Sequence, residues 1–439
     1  MEMNRRVFLG SSALFAASAA VGAEKEKPAP TAAVEVPFKP SEPVLQAPGE
    51  TSMGVVWRVN KLAHGEVEVS ETPDFKNPVL YRSGTGLGLA QLDEEALQVR
   101  LTGLKPATRY WYRTRSTPYL YYKNAYDLKL GETVTSASYS FTTLGSKAVA
   151  HFAVMNDTHM RWPVFAKVVQ KLQAIKPSVA IWNGDATNTT ETKATALDAF
   201  VTPSVPQKAW SAELPVLFNS GNHDFRGRFM SRLGEVVLDR LPNERAPEFW
   251  PLTRNFALRL GELALIGLDT GEDKPDAHPK WAGVANFSPH RKLQADWFER
   301  QFERPEIAEA PFVVVFCHIP IYCPKDSPTY PHDGVAIDPN DFAHWSRECG
   351  ELWGPLLEKH RVQLLVTAHQ HRYQYYAPAD GRSWAQITGG GCNLPVGDQA
   401  PGDFPTVIEG AVADGMLKIT VHNLRTDKIQ SVQTFKPRV

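Results

Sequence analysis

The chain has little cysteine, almost no net charge and no internal repeat. Its four cysteines, Cys317, Cys323, Cys349 and Cys392, include no Cys-x-x-Cys pair, which excludes a disulfide-dense scaffold and counts against a zinc finger. An oxidising compartment permits three full pairings of four cysteines, and spacing does not choose between them. Lys and Arg total 47 against 48 Asp and Glu, a formal charge of −1, so there is no electrostatic case for nucleic acid or an acidic membrane as an obligate partner. Beyond the N-terminus no stretch approaches the ~20 apolar residues of a transmembrane helix. What is present is 43% hydrophobic and 22% charged, an ordinary globular composition with a large core. Its 439 residues predict about two to three domains.

The N-terminus opens with Asn4-Arg5-Arg6-Val7-Phe8-Leu9-Gly10, then the apolar and small residues Ser11 to Val21 and the site Val21-Gly22-Ala23. Residues 1–23 resemble a bacterial Tat (twin-arginine) signal peptide cleaved after Ala23, which implies a periplasmic or extracellular protein. Residues 24–40, rich in Lys, Glu, Pro and Ala without periodicity, read as a linker. From 41 to 146 the pattern is short alternating strands between turn signals, which predicts a small all-β sandwich. The stretch Leu104 to Tyr112 resembles the late strands of a fibronectin type III domain. That resemblance implies inward packing of Leu104, Tyr110 and Tyr112, with Trp57 completing the core. The aromatic run Tyr119 to Tyr126 is expected as a loop whose edge packs on the following domain.

Residues 147–439 carry five short polar runs: Asp157-Thr158-His159, Gly184-Asp185, Gly221-Asn222-His223-Asp224, Cys317-His318 and Ala368-His369-Gln370-His371. Each follows an apolar run (HFAVMN, SVAIWN, PVLFNS, FVVVF, VQLLVT) of the kind that forms a buried strand in a mostly parallel sheet. Their polar groups therefore gather where strands end, at the carboxyl edge on which open α/β sheets bind ligands. Carboxylates, imidazoles and an amide suit hard-to-borderline divalent cations. Helices are predicted at Pro163 to Ile175 and from Ser288, taken as the N-cap, through Phe302.

The five runs in order resemble the calcineurin-like metallophosphoesterases, with their D-x-H, G-D, G-N-H-[DE], H and G-H-x-H pattern; Ala368 stands where the last block usually has glycine. The resemblance implies an α/β fold, an α/β/β/α sandwich behind the fibronectin-like domain, as in plant-type purple acid phosphatases. It implies two divalent or mixed-valence ions (manganese, iron or zinc), one held by Asp157, His159, Asp185 and His371. The other is held by Asp185, Asn222, His318 and His369. The two carboxylates only half neutralise two divalent cations, which leaves positive charge for a phosphate oxygen and a hydroxide. The implied reaction is hydrolysis of a small-molecule phosphate ester by a metal-bound hydroxide, with His223 assisting from the outer sphere, by stabilising developing charge or protonating the leaving oxygen, and Asp224 holding its other ring nitrogen. Purple acid phosphatases carry D-x-G and a Tyr three residues after the bridging Asp. His159 and Asn188 occupy those places here, so no purple chromophore is expected.

Arg226 and Arg228 are candidates to clamp a substrate phosphate. Pro320 to Asn340 reads as a long loop able to cover substrate, with Tyr322 among its contacts. Monoesters and diesters both remain open, and oligomeric state has no signature. A rival class, an exported binding or adhesion protein on the same fold, is disfavoured by the intact set of seven ligand-type residues.

Overall fold

Apolar runs in this chain form strands because alternate residues have a separate core to enter on each face. In the strand His151–Met155, Phe152 and Val154 join one cluster while Ala153 and Met155 join another. The computed structural model describes residues 36–84, 88–238, 249, 252–279, 281, 283–324, 347–379, 381–392 and 401–438. The signal-peptide reading (1–23), most of the linker and most of the covering loop, from 325 onward, lie outside them.

A nine-stranded sheet runs in the order Lys428–Phe435, Met416–Asn423, Thr406–Ala413, His151–Met155, Val179–Asn183, Val216–Asn219, Val44–Gln46, Ser52–Arg58 and Ala96–Thr102. A six-stranded sheet has the order Phe256–Leu260, Leu263–Gly267, Phe312–Phe316, Leu364–Thr367, Ala385–Thr388 and Gln374–Tyr376. The two pack face to face through Phe152, Ile181 and Leu217 on one side and Leu265, Val314 and Val366 on the other. Helices Trp162–Ile175 and Lys193–Phe200 cover the outer face of the first sheet, and Phe287–Gln301 and Arg347–Lys359 that of the second. This is the expected α/β/β/α sandwich. Strands 151–155, 179–183 and 216–219 are mutually parallel, as are 263–267, 312–316, 364–367 and 385–388.

The N-terminal strands do not stand apart from this framework. Val44–Gln46 pairs parallel with Val216–Asn219, so the hydrogen-bonded ladder runs on through Ser52–Arg58 into Ala96–Thr102. Against it packs a further six-stranded sheet that includes Ala63–Ser70, Arg109–Asn124 and Tyr139–Thr142. Trp57, Leu104, Tyr110 and Tyr112 meet in the core between them. The Trp57 indole donates to Ser116 Oγ at 2.8 Å, and the Tyr112 hydroxyl donates to the Ala212 carbonyl at 2.6 Å.

Two expectations need correcting. Tyr119–Tyr126 is no edge-packed loop: the strand Arg109–Asn124 runs on into a hairpin with Asp127–Leu130, leaving Leu120, Tyr121, Tyr122 and Tyr126 exposed. Ser288 is not the N-cap of its helix. Asn286 occupies that position, and the Asp276 carboxylate accepts from the amides of Phe287 and Ser288 at 2.9 and 3.1 Å, an acid at the positive end of the helix dipole. Among the described residues no helix is long and apolar enough to cross a membrane.

Candidate metal centre

Parallel strands deliver their carboxyl ends to one edge, and each polar run begins within a few residues of such an end. The chain turns there through unusual backbone. Asp157, His159, Asp185, His369 and His371 all have positive φ, from 44° to 70°. For residues with a Cβ each left-handed turn costs about 1–2 kcal/mol, and such strain persists where the surroundings over-determine it. Here the amide of His159 is held by the Asp185 carbonyl at 2.9 Å and that of Asp157 by the Gly184 carbonyl at 3.0 Å. Two glycines make the closeness possible. A Cβ on Gly184 (φ 87°) would lie 2.2 Å from His318 Nδ1, and one on Gly221 would lie 2.2 Å from Asp185 Oδ1. Ala368 is absent from the residues with positive φ, so alanine meets no strain where the family has glycine.

The seven expected ligands come together. Donor atoms of Asp157, His159, Asp185 and His371 lie within 4.8 Å of one another, as do those of Asp185, His318 and His369. Asn222 Oδ1 is 3.0 Å from His369 Nδ1 and joins the second group. Asp185 belongs to both groups. Its Oδ2 is 3.4 Å from His159 Nε2 and 3.3 Å from His318 Nε2.

The donor set fits a cation. His318 Nδ1 sits 2.9 Å from the Asn183 carbonyl and must donate to it, which leaves Nε2 facing Asp185 and Asp157. A lone pair aimed at two carboxylates needs a proton or a metal between them. Asp157 Oδ1 and His318 Nε2, both wholly buried, take no hydrogen bond within the protein. Burial opposes charge on His318, yet Asp185 and Asp157 lift it to about 10. Burial likewise works to raise the two carboxyls, but His371 beside Asp157 and His318 beside Asp185 hold both below the usual range. Burial drives His159 down to about 4 and His369 to about 3, so their lone pairs are available at neutral pH. The site wants positive charge.

His223 adjoins this cluster, its ring edge-on to His159 at 4.8 Å. Its Nδ1 lies 2.9 Å from the Asn188 carbonyl, and the Arg226 guanidinium reaches Nε2 at 3.0 Å. Burial, with Arg226 adding to it, lowers the imidazole pKa. The structure corrects the expected role of Asp224. Its carboxylate does not hold His223; it accepts from the amides of Asp185 (2.7 Å), Gly221 (2.9 Å), Ala186 (3.1 Å) and Thr187 (3.4 Å). It clamps the loop of the shared carboxylate to the loop of Asn222. Arg226 is itself tied by Glu272 at 2.6 and 3.1 Å, Arg228 is an exposed partner of Glu191, and Tyr322 packs among Arg382, Tyr376 and Trp384.

One residue at the centre was not read as a ligand from the sequence, although its segment, Gly389 to Pro395, was expected near this edge. Cys392 offers its Sγ within 4.8 Å of ligand atoms of His159 and His371. All four cysteines are buried thiols. The signal was the position of Gly389-Gly390-Gly391-Cys392 directly after a strand parallel to Leu364–Thr367, which brings it to the same edge.

Residues 150–373, more than half of the chain, match the family of calcineurin-like phosphoesterases, and the chain belongs to that family. Its members are in general metal-dependent phosphoester hydrolases. No curated protein matches the sequence. Among solved structures the fold is similar to a purple acid phosphatase from yellow lupin (Lupinus luteus) seeds, with 14% identity and a TM-score of 0.59 over 90% of this chain and 74% of that one. GAP50, the anchor in the inner membrane complex of Plasmodium, matches at 12% identity and a TM-score of 0.47 over 67% of this chain and 90% of that one.

Proposed function

We propose that this protein hydrolyses phosphate esters at a dinuclear metal centre, after export directed by its twin-arginine N-terminus. The observation that carries the reading is Asp185, wholly buried and common to two ligand groups. Asp157, His159, Asp185 and His371 would hold one ion, and Asp185, Asn222, His318 and His369 the other. Manganese, iron and zinc all suit these donors. Ions bound there supply Lewis acidity toward phosphoryl oxygens and acidify water toward neutrality.

The chain's own residues do the positioning. Asn183 fixes the tautomer of His318, so that Nε2 faces the shared carboxylate. Donation from His223 Nδ1 to the Asn188 carbonyl leaves Nε2 to accept from Arg226, so His223 would protonate the leaving oxygen only after Nε2 exchanges that contact for a proton, and it can otherwise orient Arg226 toward developing charge. Arg226, anchored by Glu272, fixes where that nitrogen rests.

The test uses full-length protein, stripped of metal and reloaded, with metal content measured alongside turnover of nitrophenyl phosphate and bis(nitrophenyl) phosphate. The faster of the two substrates distinguishes monoesterase from diesterase. Asp185→Asn should lose activity and at least one ion, because an amide cannot offer an anionic oxygen to each of two cations. Full metal occupancy with near-normal turnover in that variant refutes the dinuclear reading.

A further inference from the structure

We propose that Cys392 is a further ligand of the ion that Asp157, His159, Asp185 and His371 would hold, and that its sulfur biases this position toward zinc or iron over manganese. The proposal rests on the dinuclear reading above. Cys392 Sγ and the ligand nitrogens of His159 and His371 lie within 4.8 Å of one another, and the two imidazole Nε2 atoms are 3.0 Å apart. Zinc–sulfur bonds of about 2.3 Å and zinc–nitrogen bonds of about 2.0–2.1 Å span up to about 4.4 Å between donors, so small side-chain adjustments close the set on one ion. Asp157 Oδ1 marks a ligand position on the same ion, in the donor group that shares His159 and His371 with Cys392. It is wholly buried, has no well-aligned hydrogen-bond donor, and stands 3.3 Å from His371 Nε2.

The loop is built to bring the thiol in. A Cβ on Gly391 would come within 2.5 Å of His371 Cβ and Cγ, and one on Gly389 within 2.2 Å of Asn156 Oδ1. Only glycines let the chain pass so near the histidine. Asn156 Nδ2 donates both to the Gly390 carbonyl at 3.0 Å and to Asp157 Oδ2 at 2.6 Å, so one side chain ties the cysteine's loop to a metal-ligand candidate. The other three cysteines join no such donor group among the described residues, and Cys317 and Cys349 lie in the apolar core behind the second sheet. On binding, the thiol releases its proton to solvent and the sulfur lone pair fills a coordination position. Soft sulfur favours zinc and iron over manganese.

Metal-free full-length protein is reconstituted anaerobically with cobalt(II), and compared with Cys392→Ser and Cys392→Ala. The expected result is two cobalt ions in the unaltered protein and a near-ultraviolet sulfur-to-cobalt charge-transfer band that both variants lose. Zinc affinity at that position should fall ~10-fold or more in the variants, with a smaller change for manganese. Zinc X-ray absorption on the unaltered protein needs no variant and should show a sulfur neighbour at about 2.3 Å. Two cobalt ions bound with no such band, or zinc with only nitrogen and oxygen neighbours, overturns the role of Cys392 and leaves the dinuclear reading standing. Fewer than two cobalt ions in the unaltered protein overturns the dinuclear reading and this proposal with it.

Discussion

Replacing Asp224 by Asn tests whether this carboxylate serves the backbone or the imidazole of His223. Oδ2 receives the amides of Asp185 and Gly221 at 2.7 and 2.9 Å, and Oδ1 those of Ala186 and Thr187 at 3.1 and 3.4 Å. Asn can present an oxygen to only one pair, and its NH2 then opposes two N–H donors. The weaker pair is the cheaper one to lose, so the amide nitrogen should turn toward Ala186 and Thr187. Each buried donor left without an acceptor costs about 1–3 kcal/mol, and the longer bonds put the total near about 2–4 kcal/mol. At about 2 °C per kcal/mol for a large domain, the metal-free variant should melt about 4–8 °C below the parent by calorimetry. Working with metal-free protein keeps loss of ligation out of the measurement. The reloaded variant should also bind metal more weakly, because the clamp joins the loops of Asp185 and Asn222. An unchanged melting temperature, with a kcat loss that grows as the leaving group becomes less acidic, would refute this reasoning and restore a pairing between Asp224 and His223.

His223→Ala should keep both ions while kcat falls ~10²–10⁴-fold, less for a nitrophenol leaving group than for an alkyl one. Metal analysis beside kinetics on the two substrates checks it, and loss of an ion would make His223 a ligand. Away from the centre, Glu409 accepts from His151 at 2.9 Å and His422 at 2.8 Å. Burial works to raise its pKa, but hydrogen bonds from His422 and His151 prevail and hold the carboxyl below the usual range. A lowered folded-state pKa contributes stability above the unfolded value of about 4.3 and loses it as pH falls through the folded value. The gap in melting temperature between the parent and Glu409→Gln should therefore be open at neutral pH and close as pH falls below the ordinary carboxylate range. A gap independent of pH would remove Glu409 from the acid limb of stability.

The features readable along the chain are local in origin. A strand buried on both faces must be apolar along its length, so HFAVM, VAIWN and FVVVF declared themselves, and with them the edge to which Asp157, Asp185 and His318 would be carried. Gly184 and Gly221 were visible only as members of the polar runs; why no side chain fits there was not, because the atoms a Cβ would meet belong to His318 and Asp185, far along the chain. The remainder depends on residues far apart in the chain. Asp224 reads as a partner for its neighbour His223 until folding brings the amides of Asp185 to Thr187 against it. Tyr119–Tyr126 has no period that tells a packed edge from a projecting hairpin; the length of the partner strand decided that it projects. Val44–Gln46 gives no sign that it will extend the catalytic sheet, since parallel pairing with Val216–Asn219 closes a loop of well over a hundred residues. For Cys392 the sequence placed the segment Gly389 to Pro395 near the ligand edge but favoured no metal role for its thiol. Only tertiary packing, with glycine at 391 against His371, set this one beside the imidazoles, because coordination depends on distance in space and sequence records only distance along the chain.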